Sequence, residues 1–413
     1  MQPDNNNNNT ITALINELAA LTKNLNASAP LASHDPSRKR ALQLVRKLTV
    51  ALERPQTVPL NSVLPIPGAV ARIALDLNLF DVLAETPDGN TLAGLAGRVG
   101  ADPVLLSRIL RVLECVGWVE QLDTDADTFK PTPISEAVRS SKAIQAGVKH
   151  YFDVALPVIA SLPSYFRSTG HVFPGDETNG PFQHAYNTAL SAFDWWGQDP
   201  ALSANFNTFM TGNAGSGKKS HWVNWFPVQE HLLDEARRDK DAILLVDVGG
   251  GRGHDLVTFL TKFPDAPGRA ILQDLPGVID DYQPDNVWGE RIEPVKHSFF
   301  DVQPIQNARI YFLHHVLHNW PDEKAVLILA NIASAMEKGG YSRVIIVENC
   351  LPDRECPLWK AEMDWLMMAT HCGMQRTVKE FAVLCERAGL RMVKYWAPRG
   401  DGDGVVEAVR ELC

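Results

Sequence analysis

The sequence predicts an α/β protein with a doubly wound parallel sheet in its C-terminal half and a mainly helical N-terminal part. Three observations predict this class: a glycine-rich turn directly after a buried strand, a strand-helix alternation beyond residue 240, and a helix-rich region with one hairpin before residue 145. The chain has 413 residues, of which 45% are hydrophobic, so it can form two or more domains with substantial cores.

The glycine-rich turn predicts a nucleotide site. The apolar run Ile243 to Val248 is short and β-branched, as in a strand covered on both faces, and Gly249, Gly251 and Gly253 then lead into a helix. Glycines let a ligand approach the backbone N–H groups of such a turn. The next predicted strand ends at Asp274, at the spacing where a carboxylate binds a ribose diol. Together these signals indicate an adenosine-bearing cofactor.

The charge beside the turn narrows the choice of cofactor. The glycines do not keep the G-x-G-x-x-G/A register of dinucleotide sites, which disfavours a pyrophosphate. Asp247 lies two residues before the first glycine, where it would repel phosphate and attract a cation. The sulfonium of S-adenosylmethionine fits this arrangement.

Beyond residue 240 the elements alternate as a doubly wound sheet requires. The predicted strands cover 243–248, 270–273, 292–295, 309–313 and 343–348. The predicted helices cover 255–263, 276–281 and 322–337.

The N-terminal half is predicted to be mainly helical. Helices are predicted over 38–54 and 68–79, and three further helices with a short hairpin give the outline of a winged helix. Its candidate recognition helix carries only Arg108 and Arg111 as basic residues, which favours dimerisation over DNA binding. We expect a mobile extension with helices over 1–60, a winged-helix-like dimerisation domain over 61–185 and a catalytic domain over 186–413.

Composition excludes several classes of partner. The 39 basic and 49 acidic side chains give a net charge of −10, which argues against nucleic acid or an anionic membrane. The six cysteines have no C-x-x-C spacing, which indicates a reducing compartment. No signal-peptide pattern or membrane-length apolar run is evident, so we expect a cytoplasmic protein.

A histidine cluster gives the catalytic candidate. The strand 309–313 runs into HHVLHNWPDE, which places His314, His315 and His318 at its carboxyl end, where open α/β sheets bind their ligands. The spacing of His314 and His318 is that of a helical metal pair, but no third ligand accompanies them. We therefore expect no metal, and His318 is the preferred catalytic residue.

From about residue 65 onwards the chain resembles the class I S-adenosylmethionine-dependent O-methyltransferases of the plant caffeic-acid type and their fungal secondary-metabolism relatives. Four ordered motifs carry the resemblance: VDVGGGRG, QDLPGVI, VLHNWPDE and GMQRT. The resemblance implies a homodimer with an N-terminal winged-helix dimerisation domain, a C-terminal Rossmann-like domain, S-adenosylmethionine as cofactor and no metal.

The resemblance also implies roles for individual residues. His318 matches the general base, and Glu348 matches the acidic partner that orients it. The cofactor residues it implies are Asp247, Gly249 and Gly251 at the methionine portion, Asp274 and Leu275 at the ribose, and Ser298 and Phe299 at the adenine.

A small aromatic or polyketide-type metabolite with a phenolic hydroxyl is the expected substrate. Met363, Met367, Thr370 and His371 match the family's substrate-facing helix. Further candidates for the substrate pocket come from the aromatic-rich stretch 145–235, namely His150, Phe209 and Trp222.

Three departures from the family keep alternatives open. Asn319 and Gln375 are amides where the family has carboxylates, and Ser298 replaces an adenine-side Asp. One alternative is a pericyclase on the same fold, in which the bound sulfonium acts as a fixed charge and His318, His150 and His371 donate hydrogen bonds. The other alternative is a cofactor-binding protein without turnover.

Overall fold

The computed structural model describes residues 5–22, 36–123, 127–215, 221–398 and 402–410, and the chain divides into two compact units. A helical unit contains Glu53–Arg167 and Ala185–Ser216. An α/β unit contains Met1–Leu52, Ser168–His184 and Gly217–Cys413. The predicted domain boundaries at residues 60 and 185 stay predictions.

The helices are α1 Asn5–Thr22, α2 Pro36–Leu52, α3 Val58–Ser62, α4 Ile66–Asp76, α5 Leu79–Ala84, α6 Leu92–Val99, α7 Pro103–Cys115, α8 Pro133–Ser140, α9 Lys142–Lys149, α10 Leu156–Thr169, α11 Pro181–Tyr186, α12 Ala192–Gly197, α13 Pro200–Gly215, α14 His254–Lys262, α15 Pro276–Asp280, α16 Asp322–Ala335, α17 Leu358–His371 and α18 Val378–Arg387. Short 3-10 or π turns occur at His150–Ala155, Trp222–Asn224, Gln229–Leu233, Gly289–Arg291 and Leu317–Asn319. The strands are β1 Asn90–Thr91, β2 Val119–Asp123, β3 Thr128–Pro131, β4 Ile243–Val248, β5 Arg269–Asp274, β6 Ile292–Lys296, β7 Ile310–His314, β8 Arg343–Glu348, β9 Leu390–Trp396 and β10 Gly404–Arg410.

The helical unit confirms the predicted combination of helices and a hairpin. Thr91 caps α6 by accepting from the Gly94 N–H, and Asp102 caps α7 ahead of Pro103. Helices α5 to α7 bury their apolar faces in one core beside a three-stranded sheet of order β1-β3-β2. The fourth helix begins at Ile66 and not at Gly68 as predicted, because Pro67 fits the first turn of a helix.

The α/β unit contains a seven-stranded sheet of order β6-β5-β4-β7-β8-β10-β9, covered on its two faces by separate apolar clusters. Strands β4 to β8 are parallel, as predicted. The chain lays β5 and β6 on one side of β4, and then β7 and β8 on the other. This reversal creates a switch point between β4 and β7, where such sheets bind ligands.

Two strands, β9 at one edge of the sheet and β10 beside it, were absent from the sequence prediction. Strand β10 runs antiparallel between β8 and β9, and its burial pattern is almost continuous. The polar residues within β9 and the buried Glu407 within β10 obscured a simple apolar run. The Glu407 carboxylate accepts a hydrogen bond from Trp396 Nε1 at 3.0 Å and forms an ion pair with Arg343 Nε at 3.3 Å.

The N-terminal residues gave mixed outcomes. Helix α1 begins at Asn5, within the asparagine tract that suggested mobility, and residues 23–35 of the expected extension lie outside the described residues.

The segment Val58–Asp76 is long and apolar enough to cross a membrane, by length and composition only, and is 17% buried. It contains the separate helices α3 and α4.

Candidate active site

The candidate base stands where two parallel strands end. Strand β7 pairs with β8 so that His314 lies opposite Val347, and the chain after β7 forms the short turn Leu317–Asn319. This turn places His318 beside Glu348, the last residue of β8. The His318 ring Nδ1 lies 2.7 Å from Glu348 Oε2, and the His318 backbone N–H donates to Oε1 at 3.3 Å.

Glu348 is suited to fix the imidazole because it is buried, 1% exposed, and ionised. Burial alone would raise the pKa of Glu348, but the adjacent His318 outweighs burial and lowers that pKa below its usual range. An ionised carboxylate accepts a hydrogen bond from Nδ1–H, and this tautomer leaves Nε2 as the nitrogen that can accept a proton.

Arg376, in the GMQRT motif, holds the turn that carries His318. The guanidinium is 1% exposed and donates to the carbonyls of Leu317 and Trp320, both at 2.8 Å. It also binds Asp322 Oδ1, at 3.0 Å through Nε and 2.9 Å through Nη2. Because these hydrogen bonds hold both ends of the turn that carries His318, Arg376 is a positioning residue. The sequence analysis recognised the GMQRT motif, but it did not predict this role for Arg376.

The same motif brings the backbone against the base. The Met374 N–H donates to the His318 carbonyl at 2.9 Å. A Cβ on Gly373 would lie 2.1 Å from that carbonyl oxygen and 2.6 Å from the Asn319 carbonyl carbon. Only glycine allows this approach without displacing the turn.

Of the two amides that replace family carboxylates, Asn319 uses its side chain for local structure. Asn319 donates through Nδ2 to the His315 carbonyl at 3.2 Å, which closes its own turn. Gln375 is buried, and its backbone N–H donates to Asp364 at 2.8 Å.

The glycine-rich turn after β4 has the backbone that a cofactor cradle needs. Gly249, Gly251 and Gly253 have φ values of 74°, 57° and 74°, which favour glycine. Asp274 braces the turn, since its Oδ2 accepts from Gly251 N–H at 2.8 Å and its Oδ1 from Leu275 N–H at 2.7 Å. Each carboxylate oxygen can accept more than one hydrogen bond, so Asp274 can still bind a diol.

Asp247 provides the test of whether a cationic cofactor fits. Its carboxylate is 1% exposed, and Oδ2 has no hydrogen-bond partner among the described residues. Burial, reinforced by the charge of Asp255, raises the pKa of Asp247 well above its usual range. A positively charged ligand group would relieve this penalty, so the site fits S-adenosylmethionine.

The predicted adenine-side residues lie at the same edge. Phe299 is close to the cradle, because a Cβ on Gly249 would lie 3.4 Å from its ring. The Ser298 hydroxyl accepts from Phe300 N–H at 3.3 Å. The structure therefore gives an apolar wall at Phe299 and a local hydrogen bond at Ser298.

The predicted substrate helix is α17. Met363, Met367 and His371 recur at intervals of four residues, which places them on one face. The Thr370 hydroxyl donates to the Leu366 carbonyl of the same helix at 2.7 Å, so this hydroxyl is already hydrogen-bonded within α17. The N–H of Gly373 donates to the Met367 carbonyl, which ties the helix end to the segment that contacts His318.

The aromatic-rich stretch separates into two environments. In the helical unit, His150 lies 4.9 Å from the Trp196 ring and 5.8 Å from the Phe209 ring, between ring centroids. Trp222 is instead 2% exposed in the core of the α/β unit, 5.0 Å from Phe312. Trp222 was predicted to line the substrate pocket. In the structure its indole packs in the core against one face of the sheet.

Sequence reasoning missed an ionic network beside the cradle. Asp255, in the first turn of α14, accepts from His314 Nδ1 at 2.8 Å and from His221 Nε2 at 2.9 Å. Burial lowers the pKa of His314, but the charge of Asp255 outweighs it and raises that pKa well above the usual range. Asp255 follows the glycine motif directly, yet no sequence signal links it to His221.

A cofactor cradle and a carboxylate-oriented histidine at one edge of a doubly wound sheet define a cofactor-dependent group-transfer enzyme. Residues 172–391 match the O-methyltransferase domain family, and residues 68–141 match the O-methyltransferase dimerisation domain family. The chain belongs to this O-methyltransferase family, and its cofactor is S-adenosylmethionine.

Individual relatives agree with this membership. The O-methyltransferase asqD of Emericella nidulans is 39% identical over 84% of this chain and 87% of its own length. The demethylsterigmatocystin 6-O-methyltransferase of Aspergillus flavus is 35% identical over 80% of this chain and 82% of its own. The structure of LepI in complex with SAM has a TM-score of 0.82 at 28% identity, covering 98% of this chain and all of the other. A structure described as a pericyclic reaction enzyme gives the same values.

We predict that Gly373→Ala destabilises the protein by about 1–3 kcal/mol, because its methyl group overlaps the backbone of the His318 turn. Urea denaturation measures this. The matched control is Gly97→Ala in α6, where a Cβ meets nothing within 4 Å and where alanine should be neutral or stabilising. Equal stability of the two variants would contradict the proposed close approach.

We also predict that His150 makes stability depend on pH. Burial lowers the pKa of His150 to about 4, so the unfolded chain binds the proton more readily. The contribution is complete above about pH 6.5 and is lost as pH falls towards 4, a loss of about 3 kcal/mol.

Denaturation of His150→Phe across this range should show a shallower decline, whereas His184→Phe at an exposed position should follow the wild type. Parallel curves for the wild type and His150→Phe would show that His150 is not the buried titrating group.

Proposed function

We propose that the protein transfers a methyl group from S-adenosylmethionine to a phenolic hydroxyl of a small aromatic, polyketide-type metabolite, with His318 as the general base. The observation that carries this proposal is the 2.7 Å contact between His318 Nδ1 and the buried Glu348 carboxylate. S-adenosylmethionine, when bound, supplies an electrophilic methyl group on its sulfonium.

The chain's own residues perform the proton transfer. A phenol has a pKa near 10 and is a weak nucleophile at neutral pH, so its proton has to leave as the oxygen reacts. Nε2 of His318 takes that proton. The imidazolium that forms is stabilised by the ionised Glu348, and a base of this kind contributes about 10²–10⁴-fold in rate.

The cradle and α17 position the two reactants. Asp247, Gly249 and Gly251 would hold the methionine portion, Asp274 and Leu275 the ribose, and Ser298 and Phe299 the adenine side. Placing reacting atoms about 3–3.5 Å apart supplies much of the remaining acceleration.

Met363, Met367 and His371 give α17 a face suited to a flat, mainly apolar acceptor. One relative is named for the 6-O-methylation of demethylsterigmatocystin, which supports O-methylation of a small metabolite by this chain too.

The assembly and location follow from the same family. The dimerisation domain supports a homodimer, and the side chains of Leu60, Val63, Leu64 and Ile66 are exposed enough to be covered by a partner. We expect a cytoplasmic enzyme that acts on small molecules and requires neither nucleic acid nor membrane.

A pericyclase is the second candidate function. It is favoured by the similarity to LepI and to the structure described as a pericyclic reaction enzyme, both over 98% of this chain. In that case His318 and His371 would donate hydrogen bonds to a polyketide-derived substrate, and no methyl group would move.

We predict that His318→Ala lowers methyl transfer by at least about 10²-fold and leaves cofactor affinity unchanged. The assay mixes the enzyme with methyl-deuterated S-adenosylmethionine and an extract of its source organism, and mass spectrometry detects labelled products. Calorimetry measures cofactor binding. The matched control is His231→Ala, which removes a histidine that lies near Glu407.

Turnover by His318→Ala within a few-fold of the wild type would remove the base assignment. A product formed by the wild type with changed retention, unchanged mass and no label, and only with cofactor present, would establish the pericyclase instead.

A further inference from the structure

Three side chains outside the His318–Glu348 pair converge at the end of β7. His315 Nε2 lies 3.3 Å from Asp403 Oδ2, and His314 Nε2 lies 3.8 Å from the same oxygen. One donor atom from each residue lies within 4.8 Å of the others. The cluster therefore gathers two imidazole nitrogens and one carboxylate oxygen.

The backbone departs from regular strand geometry to form this cluster. Consecutive residues of a strand point to opposite faces, which would separate the two imidazoles. His315 instead has a φ of 54°, and the two ring centroids lie only 4.4 Å apart. Asp403 immediately precedes β10, which pairs with β8, the neighbour of β7.

Asp255 orients His314 as in a metal site. Its carboxylate binds His314 Nδ1 at 2.8 Å, so Nε2 is the nitrogen that faces the cluster, and a metal ion bound there would displace the proton from Nε2. Nε2 is buried and has no hydrogen-bond partner within the described part of the chain. A carboxylate that fixes the far nitrogen is the usual support of a metal-bound histidine.

We propose that His314, His315 and Asp403 bind one divalent transition-metal ion, Zn²⁺ or an ion of similar coordination chemistry. Two imidazoles and one carboxylate are a common three-ligand set for zinc, with a fourth position open to solvent. Bonds of about 2.0–2.1 Å in a tetrahedral site place neighbouring donor atoms about 3.3 Å apart, close to the observed 3.3 and 3.8 Å.

This set differs from the one the sequence suggested. His318 gives Nδ1 to Glu348, so His314 pairs with His315 and not with His318. The third ligand, Asp403, lies near the C-terminus, which explains why spacing within HHVLHNWPDE did not reveal it. The ion would tie the end of β7 to the segment before β10. This proposal does not rest on methyl transfer, because its test reads metal binding.

The test titrates chelator-treated protein, without an affinity tag, with Co²⁺ and follows the visible absorption of tetrahedral cobalt. We expect saturation at one equivalent and displacement of the band by Zn²⁺. Asp403→Asn and His315→Gln should lose this site, and Asp255→Asn should weaken it about 10–100-fold. The matched control is His231→Gln, which removes a histidine near a carboxylate outside the cluster and should bind as the wild type does.

No saturable site in the wild type would overturn the proposal, as would a site that persists unchanged in both Asp403→Asn and His315→Gln. Circular dichroism establishes that the variants fold. If they do not fold, anomalous X-ray scattering at the zinc edge from wild-type crystals decides the question. An ion at the three residues supports the proposal, and an ion elsewhere, or none, contradicts it.

Discussion

The contact between His318 and the buried Glu348 depends on the pairing of β7 with β8. Parallel strands end at the same edge of a sheet, so residues that follow one strand meet residues that end its neighbour. Glu348 is inaccessible to solvent and stays ionised because of the imidazole beside it. The imidazole therefore keeps the carboxylate ionised, and the carboxylate holds the imidazole in place. The proposed chemistry uses Nε2, the proton-accepting nitrogen that this contact leaves available.

The surroundings of the pair hold it in place. Arg376 binds two carbonyls of the turn that carries His318, and Gly373 allows the chain after α17 to pass against the same turn. A helix with a candidate substrate face is thereby connected to the base through main-chain hydrogen bonds. Such support matters because small displacements of a catalytic group cost large factors in rate.

Much of this arrangement could be predicted from local patterns. The strand Ile243–Val248 was predicted with its observed limits, and the glycines, Asp274, His318 and Glu348 follow from motifs that each lie within one short segment. What sequence could not give is contact between distant segments. His221 meets Asp255, and His315 meets Asp403, only because the sheet order brings their elements together. Trp222 was placed in the pocket from its residue type, whereas its burial depends on the three-dimensional packing of the core.

The central claim is that the Glu348 carboxylate makes His318 an effective base. The most direct measurement is the single-turnover rate of methyl transfer by Glu348→Gln, which keeps the shape of the side chain and removes its charge. We predict a fall of at least about 10-fold, as expected when an ionised partner that stabilises the imidazolium is lost, with cofactor affinity unchanged. A rate equal to that of the wild type would contradict it.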